Sequence, residues 1–207
     1  VPVVALAGMA NVDEGRLRAS TSAQNAGQWL AQGRDHSEQR FSPLTRINDK
    51  NVGQLGLAWY GDFDTRRGQE STPLVIDGVL YVTTAWSKVY AYDAKTGEQL
   101  WKFDPRVPGE WGVNACCDVV NRGVAAWKGK LYLGAIDGRL IAIDAATGKQ
   151  KWSVQTTPKD KPYSITGAPR VANDKVFVGQ AGSEFEQRGF MAAYDANTGK
   201  RLGRWWI

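Results

Sequence analysis

One pattern occurs three times in this chain: AYDAKTGEQLW (91–101), AIDAATGKQKW (142–152) and AYDANTGKRLG (193–203). The aspartates Asp93, Asp144 and Asp195 stand 51 residues apart at each step. Upstream of each copy lies a shared run, VIDGVLYV, WKGKLYLG or ANDKVFVG. These runs are rich in β-branched and aromatic residues, alternate with period two, and are broken by turn-forming pairs. Each unit therefore reads as about four short antiparallel strands. A period near 50 with such content points to the blades of a β-propeller and fits a helical solenoid poorly.

The motif carries its own mechanics. Asp and Thr around a Thr-Gly pair favour a tight turn, because their oxygens bond nearby backbone N–H groups and Gly accepts positive φ. The small residue at its start leaves room for a large ring, so Trp101 and Trp152 are expected to pack between adjacent blades. Burying one such ring contributes about 2–3 kcal/mol. In the third copy Gly203 stands where the tryptophan should be, with Trp205 and Trp206 just beyond. Either those rings move into the place or this blade is less firmly locked.

Aligned on their strands, the copies differ in length at two places. Six extra residues fall near GSEFEQRG (182–189), and six more fall in the stretch holding NACCDVVNRG. On a rigid scaffold, loops of this kind are where function concentrates. Cys116 and Cys117 are the only cysteines. Adjacent Cα atoms lie about 3.8 Å apart, short of the usual disulfide range of about 4.4–6.8 Å. A bond between them would close a small ring, clip no loop, and leave a stiff, polarizable surface suited to a planar ligand. Alternatively the two are buried thiols that pack as small apolar residues.

Composition excludes some functions. Twenty-six Lys and Arg against 21 Asp and Glu give a formal charge of +5, scattered without the basic stripe of a nucleic-acid binder. No stretch reaches the length of a membrane span. A single histidine, His36, argues against His-rich metal sites, and no CxxCH haem attachment sequence occurs. Residues 1–10, VPVVALAGMA, resemble the tail of a secretory signal peptide with Ala10 near the cleavage point, though without a charged n-region they also read as a loose terminus. Export would suit an oxidised cysteine pair. Residues 11–38 read as a helical or irregular segment, with Asn11 and Glu14 marking a helix start. Residues 39–207 form the repeat region.

GEWGVNACCDVVNRGVAAW resembles the signature of the pyrroloquinoline quinone (PQQ)-dependent alcohol dehydrogenases, and the similarity runs from QRFSPLTRIN (39–48) to the third AYDANTGK. The family, nearest in its quinohaemoprotein branch, implies an all-β, eight-bladed propeller of which this chain supplies about three blades after a short helical N-terminal segment. It implies that Cys116 and Cys117 form a vicinal disulfide against one face of PQQ. By the same resemblance Glu70 (in RGQESTPLV) and Thr166 (in TGAPR) bond the cofactor, and Arg122 pairs with one of its carboxylates. In AGSEF (181–185), Ala181, Gly182 and Ser183 line the cofactor and Glu184 binds calcium, a hard cation suited to a carboxylate. Ser183 stands where the family usually has alanine, and GSEFEQRG differs from the familiar GAEFGVRG at Glu186 and Gln187.

The implied function is oxidation of primary or secondary alcohols to aldehydes or ketones in the periplasm, with calcium polarising the quinone and an aspartate taking the hydroxyl proton. The implied partners are an alcohol substrate and a cytochrome or other electron acceptor. A haem c would belong only to a C-terminal domain. The catalytic aspartate, a calcium-binding asparagine and the tryptophan on the other PQQ face are expected beyond Ile207, so no catalytic residue is assigned within this sequence. Two other readings remain: a noncatalytic PQQ-repeat scaffold or binding module, and a quinoprotein acting on a sugar, a polymer alcohol or an alkaloid.

Overall fold

The computed structural model describes residues 9–207. The alternating run VIDGVLYV folds as β1 (Leu74–Ile76) and β2 (Val79–Thr83). Asp77 and Gly78 join them with φ of 54° and 80°, the two successive left-handed residues that a tight hairpin turn requires. Lys128-Gly129 and Asn173-Asp174 repeat the device between β5 (Ala125–Trp127) and β6 (Lys130–Gly134), and between β9 (Arg170–Ala172) and β10 (Lys175–Gly179). The repeated motif then supplies the outer hairpin of each unit. These are β3 (Val89–Asp93) with β4 (Gln99–Phe103), β7 (Arg139–Asp144) with β8 (Gln150–Gln155), and β11 (Phe190–Asp195) with β12 (Arg201–Trp206). The result is three four-stranded antiparallel sheets, each paired in chain order, and each is one propeller blade.

The turn inside each motif is built as its composition predicts. Asp93 Oδ1 accepts from the amides of Lys95 and Thr96, Asp144 from Ala146 and Thr147, and Asp195 from Asn197 and Thr198. Past the turn, one residue is left over at the same place in every outer pair. Tyr92 faces Gln99 while Ala91 faces Trp101, and the same skip recurs after Ala142 and Ala193. A bulge of this kind increases local twist, which a blade needs.

Blades are joined by tryptophan. Ala91 lies across from Trp101 and Ala142 across from Trp152, leaving space for the rings to turn toward the next blade. Trp101 Nε1 donates to the Ala145 carbonyl at 3.1 Å, and Trp152 Nε1 donates to Ala196 at 3.3 Å. The fully buried Tyr81 and Tyr132 send their hydroxyls to the same two carbonyls, at 3.3 and 2.8 Å. Each ring also lies against the turn glycine of the next blade, where an added Cβ would stand 2.7 Å from Trp101 at Gly148 and 2.8 Å from Trp152 at Gly199. Gly148 also has a φ of 69°. Gly148→Ala combines a left-handed backbone with a clash and is expected to cost about 1–3 kcal/mol in urea unfolding.

Trp59 makes the same contact one blade earlier. Its Nε1 donates to Ala94 at 3.2 Å, and its ring would lie 2.6 Å from a Cβ at Gly97. In the third blade Trp205 folds back over Gly203, its ring 3.1 Å from where a Cβ would stand, so a neighbouring ring moves toward the vacated place. Trp206 packs edge-on against Phe190.

The N-terminal segment clasps the first two blades. Helix α1 (Glu14–Arg18) is capped by Asp13, whose Oδ1 accepts from the Arg16 amide, so the cap is two residues later than the expected Asn11. Asn11 serves otherwise: its carbonyl accepts from the Arg16 guanidinium, which also forks onto Asp77 at 2.6 and 3.0 Å. Trp29 pairs in both directions with Val75 on β1. The leader-like reading of residues 1–10 falls mostly outside the described residues. Ala10 itself is buried, and its carbonyl accepts from the Val12 and Gly129 amides.

Candidate active site

The segments that enter the innermost strands of the three blades, before β1, β5 and β9, meet at one place. Each contributes a polar residue to it. Arg122 Nη2 pairs with Glu70 at 2.7 Å, and Arg122 Nη1 donates to the Thr166 hydroxyl at 2.6 Å. Backbone bonds fix the group further: the Arg122 amide donates to the Thr166 carbonyl at 2.8 Å, and the Thr72 amide donates to the Arg122 carbonyl. A guanidinium has five N–H donors in a rigid fork, so this one keeps further donors for a ligand. Beside it opens a cleft of about 280 Å³ lined by Arg122, Thr166, Gly167, Ala168 and Ala181.

The first inserted loop lies between β4 and β5. Its short 3-10 turn, Gly109–Asn114, is held from below by Trp111, which packs with Trp86, Val119 and Ile136. Trp86 and Ser87 are consecutive non-glycine residues with φ of 63° and 58°. Backbone strain of this sort collects at functional sites. Here it lets the Trp86 amide reach the Val119 carbonyl at 2.8 Å and puts the Trp86 ring under Gly112. Cys116 and Cys117 stand at the loop's exposed crest as free thiols with their Sγ atoms 2.6 Å apart. Their exposure overturns the alternative of two buried thiols. The vicinal bond implied by the family resemblance is not closed in this structure. The Cys117 thiol beside Cys116, together with the nearby Glu184 carboxylate, pushes Cys116 up to about 11. Asp118, next in sequence, is held below the usual carboxylate range by the Val119 amide and by Arg67.

The second inserted loop, between β10 and β11, makes a 3-10 turn at Ser183–Phe185. Glu184 accepts from the Gly182 amide at 3.2 Å and is otherwise exposed on the side of Cys116. Of the three small residues before it, only Ala181 lines the cleft. Gly182 is buried against Tyr163 with φ of 137°, and Ser183 is exposed on the turn. The structure thus gathers Arg122, Thr166 and Ala181 around the cleft, pairs Glu70 with Arg122, and sets Cys116 beside Glu184.

The donor set fits the groups that the sequence resemblance implies. A free guanidinium edge at a shallow cleft between small side chains suits a flat polycarboxylate. For calcium, which takes six to eight oxygens, Glu184 would furnish one. Among the described residues no group of three His, Cys, Asp or Glu side chains could hold a metal. Three residues have no counterpart in the sequence reading: Trp111 and Tyr163 in this region, and Trp59 in a blade seam. Trp59 stands 38 residues before its turn glycine Gly97, against 47 for Trp101 before Gly148 and Trp152 before Gly199, and this shortened spacing takes it out of the repeat register. Trp111 and Tyr163 act through cross-loop contacts that leave no local pattern.

Tryptophan-locked blades built on a repeated Asp-x-x-Thr-Gly turn, with Glu70, Arg122 and Thr166 meeting at the entries to their inner strands, define a β-propeller of the tryptophan-docked type. The family model described as PQQ: Glucose/ethanol/alcohol dehydrogenase, beta-propeller domain, matches residues 29–206, and the chain belongs to this family. It is 55% identical over 205 residues to the quinohemoprotein alcohol dehydrogenase ADH IIB of Pseudomonas putida, covering 99% of this chain and 29% of that protein. It is 51% identical over 185 residues to a 1-butanol dehydrogenase (cytochrome c) of Thauera butanivorans, covering 89% of this chain and 27% of the relative. The solved quinohemoprotein alcohol dehydrogenase ADHIIG of Pseudomonas putida HK5 superposes with a TM-score of 0.93 at 53% identity, over 96% of this chain and 29% of that one. The chain therefore spans less than a third of the length of these relatives.

Proposed function

We propose that this chain is the cofactor-holding N-terminal part of an eight-bladed, periplasmic alcohol dehydrogenase that uses PQQ and calcium. The observation carrying this reading is the convergence of Glu70, Arg122 and Thr166 from three successive blades, with Arg122 and Thr166 lining one cleft. Bound PQQ supplies the two-electron oxidant for a primary or secondary alcohol. Arg122 binds a carboxylate of the cofactor, and Glu70 and Thr166 fix the guanidinium while offering their own oxygens to the ring. Cys116 and Cys117, oxidised to a vicinal disulfide in an exporting compartment, give one face of the cofactor a flat seat. Glu184 contributes a carboxylate oxygen to calcium. The proton-accepting aspartate comes from outside this sequence, and a cytochrome, in a C-terminal haem c domain or as a separate protein, accepts the electrons. The relative named 1-butanol dehydrogenase (cytochrome c) supports that choice of acceptor.

The test is reconstitution of the native polypeptide that carries this sequence. Alcohol oxidation is expected to require both added PQQ and added calcium. Glu184→Gln, which keeps the shape and removes the charge, is expected to raise the half-saturating calcium concentration about tenfold or more. Full turnover without PQQ, or unchanged calcium dependence in the variant, would count against the reading.

A further inference from the structure

We infer that Tyr163 is a positioning residue that ties the Cys116–Cys117 loop to the Glu184 loop, so that the two inserted loops keep one relative position. Tyr163 lies just before β9 and is only 3% exposed. It touches both loops by different atoms. Its backbone carbonyl accepts the indole N–H of Trp111 at 3.1 Å, and Trp111 is the anchor of the cysteine loop. Its hydroxyl donates to the Arg188 carbonyl at 2.9 Å, at the far end of the Glu184 loop. Its ring fills the space under Gly182, where an added Cβ would stand 3.0 Å from Cδ1, and meets Phe190 edge-on at 5.8 Å. The next residue completes the hold, as Ser164 and Ala181 exchange backbone bonds at 2.8 and 3.2 Å.

The arrangement is more than local packing. The Glu184 loop makes its own small turns, with the Phe185 and Gln187 amides donating to the Gly182 carbonyl at 3.0 Å. These bonds shape the loop but do not aim it. Its aim comes from the Ser164–Ala181 pairing at one end and, at the other, from the Tyr163 hydroxyl on Arg188 together with the Ile207 amide on the Gly189 carbonyl; of these only Tyr163 also reaches the cysteine loop. Because the carbonyl of that same tyrosine holds Trp111, a displacement of either loop is felt by the other. On the functional reading above, on which this inference rests, the strut sets the distance between the cofactor's cysteine seat and the calcium carboxylate.

The test compares Tyr163→Phe and Trp111→Phe with the wild type in the native polypeptide, by hydrogen exchange of the 182–189 amides and by calcium titration of the apoprotein. Tyr163→Phe keeps the ring and loses one hydrogen bond, so exchange at Phe185 and Gln187 is expected to quicken about 5- to 10-fold. Trp111→Phe is expected to quicken exchange in the same loop about threefold, although Trp111 does not belong to it. Half-saturating calcium should rise by similar factors in both. Unchanged exchange in 182–189 for Trp111→Phe overturns the coupling, and that variant decides the matter if Tyr163→Phe does not fold. If exchange responds in both variants but calcium affinity is indifferent to them and to Glu184→Gln, the strut stands and the metal assignment fails. If exchange in 182–189 is unchanged in Trp111→Phe while Glu184→Gln shifts calcium affinity, the strut fails and the assignment stands.

Discussion

Arg122→Leu in the native polypeptide is expected to weaken PQQ binding about a hundredfold, within the 2–5 kcal/mol cost of truncating one side of a hydrogen-bonded charge pair. The loss has two sources. A fork offering paired donors to a carboxylate disappears. In addition, the Glu70 carboxylate loses the guanidinium that pairs it at 2.7 Å, so an uncompensated negative charge remains next to position 122. The backbone at position 122 is held by its own bonds to Thr166 and Thr72, so the fold at this point should survive the change. Arg122→Lys restores charge but not the fork and should recover only part of the affinity. Titration of the apoenzyme with PQQ, followed by absorbance, reads the effect. An affinity within threefold of wild type would remove Arg122 from the cofactor site.

Trp152→Ala should be the most damaging change to stability, at about 3–5 kcal/mol in chemical denaturation. The indole fills the seam between the second and third blades, against Tyr132 at 5.8 Å between centroids and against Gly199. Alanine leaves that volume empty and strips one donor from the Ala196 carbonyl. Trp152→Phe keeps much of the ring and should lose about 1 kcal/mol for the N–H alone. Tyr132→Phe combined with Trp152→Phe should cost more than the sum of the single changes, because the carbonyl then loses both of its donors. Strict additivity would mean that the shared acceptor is replaced by water at little cost.

Much of this architecture is legible in the chain because it depends on short-range chemistry. The Asp-x-x-Thr-Gly turns, the hairpin pairs and the Ala facing each Trp all act within a dozen residues, so sequence spacing reveals them. The length differences likewise marked where the loops at 104–124 and 182–189 leave the blades, since insertions are accommodated outside the strands. Less could be seen where contacts cross between blades. That Gly182 turns inward beneath Tyr163 while Ser183 faces solvent depends on a φ of 137° at Gly182, which no neighbouring residue announces. The helix start moved from Asn11 to Asp13 because the carboxylate two residues on reaches the Arg16 amide, while Asn11 meets the Arg16 side chain through its carbonyl.

The carbonyls at Ala94, Ala145 and Ala196 receive the indoles of Trp59, Trp101 and Trp152, and each ring rests on a glycine. Each tryptophan joint is thus read from main chain and one absent side chain, while other side-chain pairs, such as Trp127 and Lys128 on Asp174, tie the second seam further. An Ala-x-Thr-Gly turn can therefore receive a preceding blade's tryptophan without a matching side chain at that joint. Copying a blade within a gene, or exchanging one for another, would then leave the joints intact. Natural variation could lengthen a loop, as at the cysteine pair and at Glu184, without renegotiating how the blade sits beside its neighbour.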